Sequence, residues 1–521
     1  MILRKIKLTF LLVYFLGAAI SAQDQVLMKI DTADLKKHLS FIASDEMYGR
    51  KLGTEVDGLG KTADYLAENA KRIGLKPGSE NYFQKVGMIS SKPDKSSYIE
   101  IVNAKGNSVY RSNDIIKMSR TIEEIDLVNE EIIVAGFGMT GEEFNDLENI
   151  NVEGKVVVIS MGSPESFEKG DVYRWNNRLE RRKIEAISEN GARAIIIVTS
   201  PNDKEKKTYN QISVWFGRER YSLKQAEEEE GTEVFITLSD FADELLGGKG
   251  KYLKYLETVA GSKKPDSYLT ENKKLNLTFI SQITELDAKN VIGVVEGSDP
   301  ELKDECVVFM AHYDHLGIGE DGDVYNGADD NGSGTVAIME VAEAFASLEK
   351  KPKRSIVFLW VTCEELGLLG SGYYAENPVF PLEKTVACIN LDMVGRVFEP
   401  RDTVWNQSPK KVKDFDGLYT LSNKVWPELT EINKANCEKV GIVPDTSLPD
   451  NFLRSSDHYN FHKNGVPILN YATGYHADYH KVGDEVSKIN FSKIKRVADL
   501  CFLVGYEIAD CDKIEFESAT H

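Results

Sequence analysis

Residues 306–315 read CVVFMAHYDH, an unbroken apolar run that ends in two histidines and an aspartate. The same construction recurs in SIVFLWVTCEE (355–365), TVACINLD (385–392) and VPILNYATG (466–474), and an earlier apolar run, NVIGVVEG, lies at 290–297. Apolar runs without polar alternation suit strands buried on both faces, so these segments predict an α/β fold with a covered central sheet. Helical spacing fills the intervals. Ile338, Val341, Phe345 and Leu348 mark one apolar face, with Glu340, Glu343 and Ser347 expected on its wet side. The acidic and imidazole groups fall just after the strands, where the loops at the carboxyl ends of an α/β sheet form its crevice.

Six of the eight histidines lie between His312 and His480, among acidic clusters. Imidazole mixed with carboxylate suits zinc. Two histidines with four or five carboxylates exceed what one tetrahedral zinc can use, so the economical reading is two ions sharing a carboxylate. Such pairs hydrolyse peptide or phosphate esters by activating a water between them. His312 and Asp314 sit two apart and can face one side of an extended chain, with Asp314 orienting a ligand imidazole. GADDNGSG (327–334) puts Asp329 and Asp330 in a glycine-rich bend before a helix, which Ser333 or Asn331 would cap. Asp330 is the expected bridging ligand. Of Glu364 and Glu365, one can bind metal while the other accepts a proton, and Asp392 is expected as a terminal ligand. His458, His462, His476 and His480 are too many to be ligands together, and His315 is left open with them.

The chain has 521 residues and a net charge of −20, which argues for several domains and against nucleic acid or an anionic membrane as partner. Arg4, Lys5 and Lys7 precede an apolar run at 8–20, and Ser21 and Ala22 follow. This predicts a secretory signal peptide over 1–22, export to the periplasm or medium, and no membrane insertion after its removal. The six cysteines lack CxxC spacing; Cys306, Cys363 and Cys388 lie in or beside apolar runs, and all six are read as structural. Near the start, 34–43, with Leu35, Leu39, Phe41 and Ile42 at helical spacing, and 59–75 read as helices around the polar loop SDEMYGRKLGT. EIIVAGFGM (131–139), KVVVISMG (155–162), RAIIIVTS (193–200) and EVFITLS (233–239), with a helix at 181–192, read as a separate unit at 126–285. The remaining parts, 23–125 and 286–521, are expected to form one main domain.

AHYDHLG, NGADDNGSG, CEELGLLGS, NLDMVG and DYHKVGDE resemble, in order and spacing, the di-zinc aminopeptidases of metallopeptidase family 28, within the zinc-dependent exopeptidases. The resemblance covers 287–510, and HLSFIASDEMYGRKLGT (38–54) is similar to the start of such domains. The unit at 126–285 is similar to the protease-associated domain often inserted in them. The resemblance implies an α/β/α sandwich with a mixed central sheet and peptide substrates with a free N-terminus. It implies one zinc on His312, Asp330 and Asp392, and a second on Asp330, Glu365 and His480. Glu364 would be the general base, Asp314 a support, and Tyr479 would polarise the scissile carbonyl. Three rival readings remain at this point. A carboxypeptidase or dipeptidase would use Arg396 or Arg454 for the substrate carboxylate, a glutaminyl cyclase would use one zinc, and a receptor-like relative would have no activity.

Overall fold

A computed structural model describes residues 26–27, 29–118, 124–141, 144–170, 175–224, 232–262, 264–397, 416–512 and 514. The expected leader and the acidic run at 227–230 lie outside them. The chain divides into two units, one built from 1–86 with 287–521, the other from 87–286.

In the first unit, four parallel neighbours form the centre of a mixed sheet, in the order Ile468–Ala472, Thr385–Leu391, Cys306–His312, Ser355–Val361. Residues 291–295 pair antiparallel beyond Ser355–Val361. On the far side Gly417–Ser422 joins antiparallel and Val443–Asp445 parallel to it. Alternate side chains of each strand serve opposite faces. Val308, Met310, Val357, Leu359 and Ile468 pack with Tyr374 and Phe461 from the helices Leu369–Glu376 and His458–His462. On the opposite face Phe309 meets Phe345 and Phe358, and Phe345 meets Phe502, so the helices Gly334–Ala346 and Phe491–Asp510 cover it. The result is the expected α/β/α sandwich.

Two expectations fail within this unit. Glu340, expected in water, is buried at 3% exposure, because Gly334–Ala346 is covered by other helices as well as by the sheet. Its Oε2 accepts the N–H of Asp31, and its Oε1 lies 3.9 Å from Nε2 of the buried His38. Phe41, expected on the buried face of the first helix, is exposed, and His38 is buried there instead. Burial pushes the Glu340 carboxyl up to about 7, with the charges of Asp34 and Glu343 adding and the Asp31 N–H opposing. The folded pKa lies above the ordinary 4.5, so folding carries no penalty from this group at acidic pH and a growing one as pH rises towards and past 7. Glu340→Gln is therefore expected to be more stable than wild type at pH 8, by roughly 3 kcal/mol at most, with the advantage shrinking towards pH 5. Urea unfolding of both proteins at the two pH values measures the difference.

The second unit holds a sheet in the order Ser108–Ser112, Tyr98–Asn103, Tyr268–Phe279, Ile125–Val134, Val156–Ser160, Ala194–Val198, Glu233–Thr237, Ile115–Lys117. Val156–Ser160 and Ala194–Val198 are wholly buried and parallel, with the helix Asn177–Glu189 between them in sequence. The unit begins at Gly87, not at 126 as expected, because Tyr98–Asn103 and Ile115–Lys117 pair inside this sheet. Tyr98–Asn103 is partly exposed and Ile115–Lys117 is buried but only three residues long, so both lack the long apolar runs that mark the others. All six cysteines are free thiols, five of them buried. Among the described residues no helix is long and apolar enough to cross a membrane.

Candidate metal centre

The carboxyl ends of all four parallel strands converge on one place. His312 closes Cys306–His312, Glu364 and Glu365 follow Ser355–Val361, Asp392 follows Thr385–Leu391, and the turn with His480 comes after Ile468–Ala472. The Asp330 turn is brought in by Gly334–Ala346. His312 Nε2 lies 3.5 Å from Asp330 Oδ1 and 3.5 Å from Asp392 Oδ1. His480 Nε2 lies 3.1 Å from Asp330 Oδ2 and 3.2 Å from Glu365 Oε2. Asp330 thus stands between two clusters, one oxygen to each. Every residue expected at the metals arrives there.

His312, Asp330 and Asp392 have ligand atoms within 4.8 Å of one another, as do His315, Asp330 and Glu365. His315, left open from sequence, is therefore part of the site. Its Nδ1 is 2.9 Å from Glu365 Oε1 and 4.0 Å from Asp330 Oδ2. His480 touches the other Glu365 oxygen. His312 Nε2 and Asp392 Oδ1 are buried and without hydrogen-bond partners among the described residues, yet face each other across a short gap. Polar atoms buried in this way are costly unless something pairs with them. A dication bound by imidazole and carboxylate would satisfy both, so the donor set fits a metal.

The electrostatics agree. Burial alone would lower the His312 pKa, but Glu364, Asp314, Asp330 and Asp392 outweigh it and hold it well above the ordinary value. Burial also opposes the charged His480, but Asp330 and Glu365 raise it to about 10. Burial would raise Asp330, yet His312 and His480 hold it well below the usual carboxylate range. Glu364 moves the other way: burial pushes it well up, Asp457, Asp392 and Glu365 add, and His312 opposes. The crevice is acidic enough to need positive charge.

Asp314 does more than expected. Its Oδ1 accepts the Glu364 N–H at 3.0 Å and its Oδ2 the Glu365 N–H at 3.2 Å. It also lies 3.6 Å from His312 Nδ1, which meets the Asp314 carbonyl at 3.3 Å. One carboxylate therefore fixes the backbone of both glutamates. Asn331 donates through Nδ2 to Leu391 O, while its Oδ1 accepts from Gly334 and Met393. A carboxylate could not make the first of these bonds, which gives a reason for Asn at 331. Of the two residues expected to cap the helix, Asn331 accepts the N–H of Gly334, while the Ser333 hydroxyl bonds Asp329 O and accepts from Val394 instead. Gly327 is at φ +54, and a Cβ there would come within 2.4 Å of the His315 ring. Cys363, Met393 and His480 also have positive φ, so left-handed non-glycine residues occur at three of the loops that carry donors.

Tyr479 stacks on the His480 ring at 3.8 Å and meets the Tyr475 ring, tilted by 42°, at 4.2 Å. Burial, Tyr475 and the carboxylates of Asp330, Glu365 and Asp392 raise its pKa, so its hydroxyl stays protonated. The other candidate histidines separate. His476 faces Asp329, His458 Nε2 is 3.0 Å from Phe452 O and is pushed down to about 4 by burial, and His462 lies near Asn423. An apolar cleft opens beside Asp392, lined among others by Met393, Tyr419, Phe452, Ala472 and Tyr475. Phe461 is in the core and Tyr459 lies under Arg454, so neither lines this cleft.

Arg50 and Asp457 are buried residues missed from sequence. Arg50 donates to the carbonyls of Tyr313, Ile42, Asn326 and Gly327, fastening the His312 and Asp330 turns to the 45–50 loop. Asp457 accepts from Ser371, and burial pushes its carboxyl up to about 7 beside the field of Asp314 and Asp392. The GR pair at 49–50 was visible, but only the fold brings it to this crevice.

Residues 290–504 match Peptidase family M28. An aminopeptidase of Bacillus subtilis (strain 168) is 30% identical over 264 residues, which span 49% of this chain and 52% of its own. Leucine aminopeptidase 2 of Trichophyton rubrum is 28% identical over 262 residues, 46% of each chain. The chain spans about half the length of the curated relatives it matches. Among solved structures, an aminopeptidase from Aneurinibacillus sp. strain AM-1 is similar in fold, with a TM-score of 0.54 at 17% identity, covering 96% of this chain and 99% of that one. The donor residues thus lie in order along the segment, residues 290–504, that is similar to peptidase family M28.

Proposed function

We propose that the protein is an exported zinc aminopeptidase that removes N-terminal residues from peptides at a two-ion centre. The observation that carries this reading is Asp330, shared between two donor clusters at the carboxyl ends of four parallel strands. His312, Asp330 and Asp392 would hold one zinc, and Asp330, Glu365 and His480 the other. His315 Nδ1 would donate to the far oxygen of Glu365 and keep it turned to the ion. Zinc held by these residues would supply Lewis acidity and lower the pKa of a water towards about 7. Glu364 would accept the proton of the attacking water and pass it to the leaving amine. Tyr479 donates a hydrogen bond to the scissile carbonyl. Carboxylates around the crevice hold the substrate's free ammonium, and the cleft at Phe452 and Tyr475 takes its apolar side chain.

The rival enzymes fit less well. A carboxypeptidase needs a free cation, but Arg396 pairs with Asp478 at 3.0 Å and Arg454 lies against Tyr459. A one-zinc cyclase leaves the second cluster without a use. The purified chain, assayed with zinc analysis on paired N-free and N-acetylated peptides, tests the proposal. We expect two zincs per chain and cleavage of N-free peptides only, fastest with a bulky apolar first residue. Equal cleavage of acetylated peptides would refute it.

A further inference from the structure

Asp484 lies four residues after His480 and is fully buried. Its carboxylate accepts the N–H of Asp329 through both oxygens, at 3.1 and 3.0 Å, and the N–H of Asp330 at 3.0 Å. Its own carbonyl accepts the N–H of Ala328, and its N–H bonds Lys481 O. One residue therefore ties the turn bearing Asp330 to the turn bearing His480. The basic groups nearest its side chain are Arg396 Nη1 at 3.9 Å and His476 Nε2 at 4.0 Å. The acidic neighbour is Asp329, whose Oδ1 accepts the N–H of Gly395 at 2.7 Å and whose Oδ2 faces His476 at 3.3 Å. None of these groups belongs to the two donor clusters. They form a charged layer behind them.

We propose that Asp484 is a positioning residue for the metal pair. By holding the amides of 329–330 against the 481–484 turn, it sets Asp330 and His480 at the separation one shared ion requires. The inference rests on the reading of the clusters as a zinc site. N–H bonds to a carboxylate are about twice as strong as neutral ones and fix direction as well as distance. His312 sits within its strand ladder, and the Asp392 loop has its own bonds to Asn331 and Ser333, further along the same turn as Asp330. The ion of His312 and Asp392 should therefore be affected little by loss of Asp484, and the ion of Glu365 and His480 strongly.

The test is zinc titration of the metal-stripped full chain against a chromophoric chelator, wild type beside Asp484→Asn. Wild type should show two tight sites. The variant should keep one and bind the other about 10- to 100-fold more weakly, the range for residues that orient metal ligands. A purely structural role would lower the melting temperature of the stripped protein and leave both affinities in place, which would overturn the proposal. Equal weakening of both sites would overturn it too. If Asp484→Asn does not fold, Asp484→Glu keeps the charge one methylene further out. The same titration then decides, with a wild-type second site counting against the idea. A wild type that takes up no zinc would sink the metal reading itself. Two tight sites in wild type and variant alike would sink only the role of Asp484.

Discussion

Glu364→Gln is expected to lower kcat by about 10²- to 10⁴-fold while both zincs stay bound. Glu364 Oε2 lies 3.9 Å from His312 Nε2, close to the crevice yet outside both donor trios. Its backbone is held by Asp314 Oδ1, so the side chain of the variant starts from the same place. Glutamine has nearly the same shape but cannot take a proton from water and deliver it to an amine. The loss should fall on kcat, with KM changed by much less, because the interaction removed is made in the transition state. Steady-state kinetics on an N-free apolar peptide, with zinc analysis of the same sample, give both numbers. A variant with full activity would end the role of Glu364 as base. A variant short of one zinc would make it a ligand instead.

What could be read from the sequence follows a physical divide. The strands Cys306–His312, Ser355–Val361, Thr385–Leu391 and Ile468–Ala472 were legible because a strand buried on both faces must be apolar throughout. The donors were legible because Asp and Glu directly after such runs need a partner. Val443–Asp445 was not recognised because it is three residues at the sheet's margin, and Gly417–Ser422 because Thr420 and Ser422 interrupt its apolar run. Glu340 defeated the helical pattern because period alone cannot show that a helix is covered on two sides. Arg50, Asp457 and Asp484 act through carbonyls, hydroxyls and amides far off along the chain or across a turn. No local pattern encodes such bonds. The choice between His315 and His480 is of the same kind, because it depends on which oxygen of Glu365 each ring meets.

Asp330→Ala should have the most severe effect of any single change, because it removes the only side chain common to both clusters. Its Oδ1 faces His312 and its Oδ2 faces His480 and, at 4.0 Å, His315. Without it, each cluster keeps one carboxylate and its imidazoles, while the negative charge between two dications is lost. Both zincs are therefore expected to be absent from the purified variant, and activity to fall below detection. Zinc should also cease to stabilise the fold. Wild type, with zinc at a thousand times the dissociation constant, gains about 4 kcal/mol from binding, seen as a higher melting temperature on zinc addition. In the variant that rise should vanish. Glu365→Ala serves as the comparison, since it strips a ligand from one cluster alone and should leave one ion in place. The zinc count then separates the possible architectures. A count of zero for Asp330→Ala fits a shared carboxylate, a count of one would assign Asp330 to a single cluster, and a count of two would remove it from the metals and take the bridged centre with it.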